Sequence, residues 1–372
     1  MGYNDSEFDV RRSTIPIFFD MMQCEFYSLK DKNHSGPPGM AKGEEKIKAK
    51  FDEFERDMLE NLDHLIEGGC ADDHYREVFI QLMKSLCKEH TIMSVPGMHF
   101  VDTIGTLMEK LLQYRTIMNA PDHSPEIRMS CTVSLLDFYS KINRKELYLR
   151  YVYKLFDLHC ECDNYTEAGY TLQLHAALLS WKHSIIPVPL ICSRYQSLQY
   201  QDELKEKLYY DIISNYEKGK MWEAALKICK ELVQRYEEVT MEYNKLSKLL
   251  SDMAKFYENI MDPQVIRPEP EYFRVAYYGR GFPAFLQNKV LKITILATVI
   301  YIQINKVDCL VENSPFTYPH IGERIRQYYQ VNHVDTFTYS RPFHRGQKDP
   351  DNEFATLWTE KTVLKTNYAL PG

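Results

Sequence analysis

The residue types best suited to specific recognition gather in one late stretch, Tyr339-Ser340-Arg341-Pro342-Phe343, then Gly346 to Phe354, and finally Trp358. Tyr, Arg, Phe and Trp are the side chains that carry binding energy at protein interfaces, and Asn352 and Glu353 in the intervening loop add polar contacts. Alternation of Phe337, Thr338 and Tyr339 predicts a strand that breaks at Pro342. A loop rich in Gly, Lys and Asp follows, and Phe354 to Tyr368 is a second β-prone run. Arg341, His344, Arg345 and Lys348 form a basic group on this non-helical backbone. It is either a loop kept soluble by charge or a contact surface for an acidic or polar partner. The chemistry this stretch offers is binding, with no nucleophile and no metal cage.

Other candidate chemistries fail on spacing. No G-x-x-x-x-G-K-[ST] loop is present, so the chain is not itself a P-loop NTPase. Gly279-Arg280-Gly281 is followed by Phe282-Pro283 where a dinucleotide fold needs a helix and a third glycine, so Tyr278 to Pro283 is expected to turn between β elements. His159-Cys160-Glu161-Cys162 groups three zinc-ligand types but has no second pair at zinc-finger spacing, and it ends an amphipathic helix. Cys229 sits on an apolar helix face, where a thiol is inert filling. Paired acids such as Glu44-Glu45 and Asp72-Asp73 suit helix N-termini better than catalysis. No cofactor or metal is expected.

Composition narrows the partner. A net charge of -7 argues against nucleic acid, which selects basic domains. Nine cysteines spread over 372 residues make no disulfide framework, and the first twelve residues are not a signal peptide, so a cytosolic protein is expected. The apolar run from Val290 to Ile304 is too short to span a membrane and is expected to form two strands or one long bent strand.

The elements that must hold the late stretch are mostly helices. Residues 1–43 are expected to be an extended arm with a short helix, because Pro16 interrupts the patch Ile15 to Met22, and Ser35-Gly36-Pro37-Pro38-Gly39 is a linker. From residue 44 to 265 apolar residues recur at three- and four-residue steps. Ile47, Phe51, Phe54, Met58, Leu62 and Leu65 define one stripe, and later helices cover Phe100–Met118, Tyr148–His159, Thr166–Trp181, Glu203–Glu217, Trp222–Tyr236 and Met241–Met261. Short polar breaks such as Cys162-Asp163-Asn164 and Lys218-Gly219-Lys220 make neighbouring helices antiparallel. After the linker Arg267-Pro268-Glu269-Pro270, β-branched and aromatic residues take over from 266 to 372, with Phe273–Tyr277 as a strand and Ile321–Val331 as a short helix. The fold class is α+β, predominantly α: an antiparallel, solenoid-like helical array followed by a smaller sheet lobe.

Several of these same stretches resemble the DOCK (dedicator of cytokinesis) family: Ile15–Met22, Ser134–Tyr139, Tyr151–His159, Tyr277–Pro283, and most strongly Tyr339–Phe343 with Pro350–Ala355. They occur in order over nearly the whole chain, and the wording is closest to the Rac-directed subgroups. The resemblance implies a fragment of the second Dock homology region, a guanine-nucleotide exchange module for Rho-family GTPases. It implies a helical lobe that homodimerises, matching about Glu44 to Asp262, and a sheet lobe that engages the GTPase near its first switch, from about Pro268. Tyr339, Arg341, Phe343, Asn352, Glu353 and Trp358 are then the candidate GTPase contacts. A third family lobe, whose loop valine expels magnesium, has no counterpart before Gly372, and Leu291–Ile300 replaces a longer family segment. Weak Rac binding and little exchange are therefore expected, without membrane insertion. A helical dimerisation scaffold lacking exchange activity is the alternative.

Overall fold

The three- and four-residue periodicity does build helices from residue 41 to residue 261, and a four-stranded antiparallel sheet follows them. The computed structural model describes residues 5–27, 41–70, 72–90, 93–120, 124–278, 301–311, 320–344 and 356–371. The chain divides into two compact units, Met1–Tyr151 and Val152–Gly372.

In the first unit the helices α1 (Asp5–Tyr27), α2 (Ala41–Glu67), α3 (Asp73–Glu89), α4 (Ser94–Asn119) and α5 (Pro125–Lys141) lead into α6 (Lys145–Glu161). The central helix is α4, with Phe100, Ile104, Leu107, Met108 and Leu111 buried, and α2, α3 and α5 pack on it. Gly105 lets α3 approach, since a Cβ there would lie 2.7 Å from the Ile80 side chain. The expected extended arm is instead a 23-residue helix that passes straight through Pro16. A mid-helix proline costs about 3 kcal/mol. Here Pro16 faces outward, while Ile15, Phe19 and Met22 are buried on the other side. Phe18 packs with the rings of Phe54, Phe79 and Phe100 at centroid distances of 5.8 to 6.4 Å, and burying this face outweighs the lost hydrogen bond.

The inward stripe of α2 also differs from expectation. Among its described side chains Leu59, Asp63 and Ile66 are buried, Phe54, Met58 and Leu62 are half-buried, and Leu65 points outward. A fully buried aspartate is admissible only because it is satisfied. Tyr139 and Tyr151 each donate a hydroxyl to Asp63 Oδ1 at 2.8 Å, and Arg150 pairs with Asp63 Oδ2 and with Glu67.

The second unit holds the rest of α6, then α7 (Tyr165–Ala176), α8 (Gln201–Lys218), α9 (Trp222–Gln234), a π-turn at Arg235–Val239, and α10 (Tyr243–Met261). Successive helices pack as neighbours from α7 to α10. Their corners close on residues with left-handed backbone: Asp163 after α6, Lys220 after α8 and Met241 before α10, with φ of 57°, 57° and 53°. In the Lys218-Gly219-Lys220 corner the glycine is not the left-handed residue. It is there for space, because a Cβ on Gly219 would stand 2.6 Å from Thr166 Oγ1.

One connection is not short. The helix expected to reach Trp181 stops at Ala176, and residues 177–200 run irregularly through two 3-10 turns, Val188–Leu190 and Ser193–Tyr195. Pro187 and Pro189 exclude a helix there. Trp181 anchors the segment by donating its indole N–H to Glu231 at 2.7 Å, and Gln201 bonds Ser180 and Ser184.

The sheet order is β1 (Tyr272–Tyr278), β2 (Tyr301–Cys309), β3 (Val334–His344) and β4 (Leu357–Leu370), all antiparallel, with α11 (Glu323–Val331) preceding β3. The expected turn at 278–283, most of the Val290–Ile304 run and the segment Leu291–Ile300 lie outside the described residues. β3 does not break at Pro342 but continues to His344. β2 pairs with β3 only at Asp308 and Cys309, so beyond Tyr339 that edge meets no described strand, and an edge tolerates proline.

Candidate functional site

In an antiparallel pair, residues directly opposite share a face, and faces alternate along each strand. The β3–β4 register sets Phe337 opposite Leu364, Tyr339 opposite Thr362, Arg341 opposite Glu360 and Phe343 opposite Trp358. Four of the six candidate contacts, Tyr339, Arg341, Phe343 and Trp358, thus fall on one face of one hairpin. Asn352 and Glu353 lie outside the described residues.

That face runs from core to solvent. At its base Val307, Val334 and Phe337 form the buried cluster of the sheet, with Tyr272, Tyr339 and Leu364 packed against it. Tyr272 holds the base, with its ring 4.9 Å from Phe337 and its hydroxyl donated to the Val331 carbonyl at 2.7 Å. Tyr339 is half-buried, and the Arg274 guanidinium lies over its ring at 5.5 Å, which makes it a bridge between core and surface. Further out Arg341 and Glu360 are exposed, and at the tip Phe343 and Trp358 keep 41% and 53% of their surface accessible. Sequence reasoning missed Glu360 and Thr362. The alternation Trp358, Glu360, Thr362, Leu364 was the available signal, but only the register joins it to β3.

The described part of this face carries no Cys, Ser or His. Elsewhere in the described residues burial pushes the Cys229 thiol up to about 12, and burial with Asp63 beside them raises the Tyr139 and Tyr151 phenols. These are inert groups at neutral pH. Among the described residues no group of His, Cys, Asp and Glu could hold a metal, and no helix is long and apolar enough to cross a membrane.

A second apolar surface lies on α10. Leu246, Leu249, Met253, Phe256 and Ile260 face inward. Tyr243, Leu250, Tyr257 and Met261 are exposed on the outside, with Ser247 and Ala254 between them. The resulting steps of 4, 3, 4, 3 and 4 make a heptad stripe in which large and small residues alternate as far as Tyr257, the geometry of helix-on-helix packing.

The class that the fold defines is an α+β protein in which a helical array leads into a small antiparallel sheet. Its two parts match known models. Residues 131–262 match the family model described as DHR-2, Lobe A, and residues 287–369 match DHR-2, Lobe B. The chain is 34% identical over 98% of its length to human "Dedicator of cytokinesis protein 4" and 33% identical over 98% to human "Dedicator of cytokinesis protein 3". It is also 24% identical over 64% of its length to "DOCK-like protein 1" of Saccharomyces cerevisiae. The chain belongs to the DOCK family, within its DHR-2 region. It spans 19% of the length of each human relative and 14% of the yeast one.

Proposed function

We propose that this chain docks a Rho-family GTPase, with Rac the expected partner, through the β3–β4 face as part of a guanine-nucleotide exchange factor. The observation that carries the reading is the exposed cross-strand pair Phe343–Trp358 with Arg341 beside it, inside the stretch matching DHR-2, Lobe B. Two aromatic anchors around an arginine are what a protein-binding hot spot is made of. Exchange needs no bond chemistry from the chain. A factor that binds the nucleotide-free GTPase more tightly than the GDP-loaded form lowers GDP affinity by the same ratio. Residues 266–372 supply the contacts and residues 44–265 the support, in the cytosol, where such a GTPase presents its switches.

The test is binding of the chain to nucleotide-free Rac, with Rho and Cdc42 alongside and labelled-GDP release measured separately. Binding that prefers the nucleotide-free form supports the reading. Absent binding of all three, or equal binding of nucleotide-free and GDP-loaded forms, refutes it.

The α10 stripe favours a second property, self-association through the helical part. Light scattering at micromolar concentration should report a dimer that Leu250→Asp converts to monomer. A monomeric parent chain removes this property without touching the first.

A further inference from the structure

Arg267 stood in the sequence as one charge of a Pro-rich linker. In the fold its side chain is only 11% exposed. Two nitrogens donate to the Glu223 carboxylate at 2.8 and 2.5 Å, and one of them also to the Lys220 carbonyl at 3.0 Å. The guanidinium lies 4.0 Å from the ring centroid of Tyr328 on α11 and 5.2 Å from that of Trp222 on α9. Both rings are buried. Glu223 sits in the first turn of α9, where the helix dipole favours a carboxylate.

Reciprocal bonds tighten the same joint. Lys220 Nζ donates to the Ile266 carbonyl at 2.6 Å. From α11, Arg324 donates to the carbonyls of Ile260, at the end of α10, and Val265 at 2.8 and 2.6 Å. The Tyr328 hydroxyl reaches Met221 Sδ at 3.6 Å. Among the described residues no helix from α7 to α10 shares a broad contact with a strand, and beside Arg267 the seam opens into a cavity of about 300 Å³ lined by Thr166, Lys218, Pro268 and Asn332. Broad helix-on-strand contact therefore does not define this seam. A stacked, bidentate, desolvated arginine does, and neither lysine nor a flexible linker reproduces that geometry.

We infer that Arg267 is a positioning residue, a clamp that fixes the sheet on the α8–α10 helices so that the β3–β4 face is presented in one orientation. Its consequence for affinity rests on the docking reading above, but the clamp itself does not. If removing it leaves one molecule in ten in the docking arrangement, the apparent Kd rises about tenfold with every contact residue intact.

The experiment uses the full chain with spin labels on keto-bearing residues introduced at Lys248 on α10 and Lys361 on β4, both exposed, and diluted with unlabelled chain so that only intrachain pairs report. Pulsed distance measurement should give one narrow distribution for the parent chain and a broad one for Arg267→Ala. Arg267→Lys and Glu223→Gln should fall between them, and carry the test if Arg267→Ala fails to fold by circular dichroism. Titration of nucleotide-free Rac should weaken in the same order. Narrow distributions in all variants overturn the clamp. Broad distributions with unchanged Rac affinity overturn its positioning role. A parent chain that binds no GTPase refutes the docking reading, while the distances still judge the clamp.

Discussion

Replacing Trp358 by Ala removes the outermost anchor of the docking face, and the structure sets the size of the effect. A tryptophan side chain buries up to about 250 Å². With 53% of Trp358 accessible, roughly 130 Å² remains for a partner to cover. At about 25 cal/mol per Å² this is worth up to ~3 kcal/mol, or about a hundredfold in Kd. Interface closure is rarely complete, so a loss of about 2 kcal/mol, near thirtyfold, is expected. Phe343 has 41% accessible and should lose somewhat less. The two are cross-strand partners, so the double replacement should cost less than the sum. Folding stability should fall by only about 0.2–1 kcal/mol, the range of a cross-strand pair. The assay is titration of nucleotide-free Rac at physiological ionic strength, with urea midpoints measured on the same samples. Val363 is 56% accessible but sits on the opposite face, so Val363→Ala is the control and should leave affinity unchanged. Trp358→Ala within twofold of the parent, or matched by Val363→Ala, would refute the assignment of this face.

Other expectations concern the framework. Asp63→Ala leaves two buried tyrosine hydroxyls without their acceptor and should cost about 3–5 kcal/mol in urea unfolding, whereas a loss under about 1 kcal/mol would mean that the carboxylate is not truly desolvated. His175 is fully buried, and burial holds its imidazole down at about 4 instead of 6.5, with a backbone hydrogen bond to Leu190 acting in the opposite sense. The unfolded chain therefore takes up a proton that the folded chain refuses as pH falls from 6.5 to 4, and stability should drop across that window by about 1.4 kcal/mol per unit. His175→Gln should flatten this component, and identical urea-midpoint profiles for the two proteins would exclude it. Met241 is exposed and holds φ at 53°, so Met241→Gly should relieve strain and raise stability by roughly 0.5–1 kcal/mol in thermal unfolding. Lys220→Gly at the equivalent corner should bring no such gain, because it also removes the bond to the Ile266 carbonyl.

Periodicity made the helices legible because burial follows it closely, as in α9 and α10, and the change to β-branched residues after Pro270 marked the sheet. Both misjudged prolines have one cause. Pro16 and Pro342 are penalised by local rules, yet Pro16 faces outward on a helix whose other side is buried and Pro342 lies where one strand edge meets no described partner. The residue types of the docking face were visible, but their meeting was not. Whether Phe343 stands beside Trp358 depends on register, which is set by hairpin geometry and not by either strand alone. Arg267 was invisible for a similar reason. Nothing in Arg-Pro-Glu-Pro announces Glu223, Trp222 and Tyr328, which come from two other elements.

The stretches that carried the family resemblance turn out to do different work. Tyr139 and Tyr151 serve Asp63 in the first unit, and in the second the Tyr153 hydroxyl lies 2.6 Å from His175 Nδ1, so these residues belong to the core. Tyr339 to Phe343 is divided. Tyr339 completes the sheet cluster, and a hairpin that needed only to fold could end its apolar face there. Instead the same face continues past Arg341 to a phenylalanine and a tryptophan left about half in water, an arrangement that folding alone does not favour. Under the docking reading, a partner would cover what the fold leaves accessible there. That reading also explains why the clamp at Arg267 matters: two anchors at the tip of a hairpin transmit affinity only if the hairpin is held still.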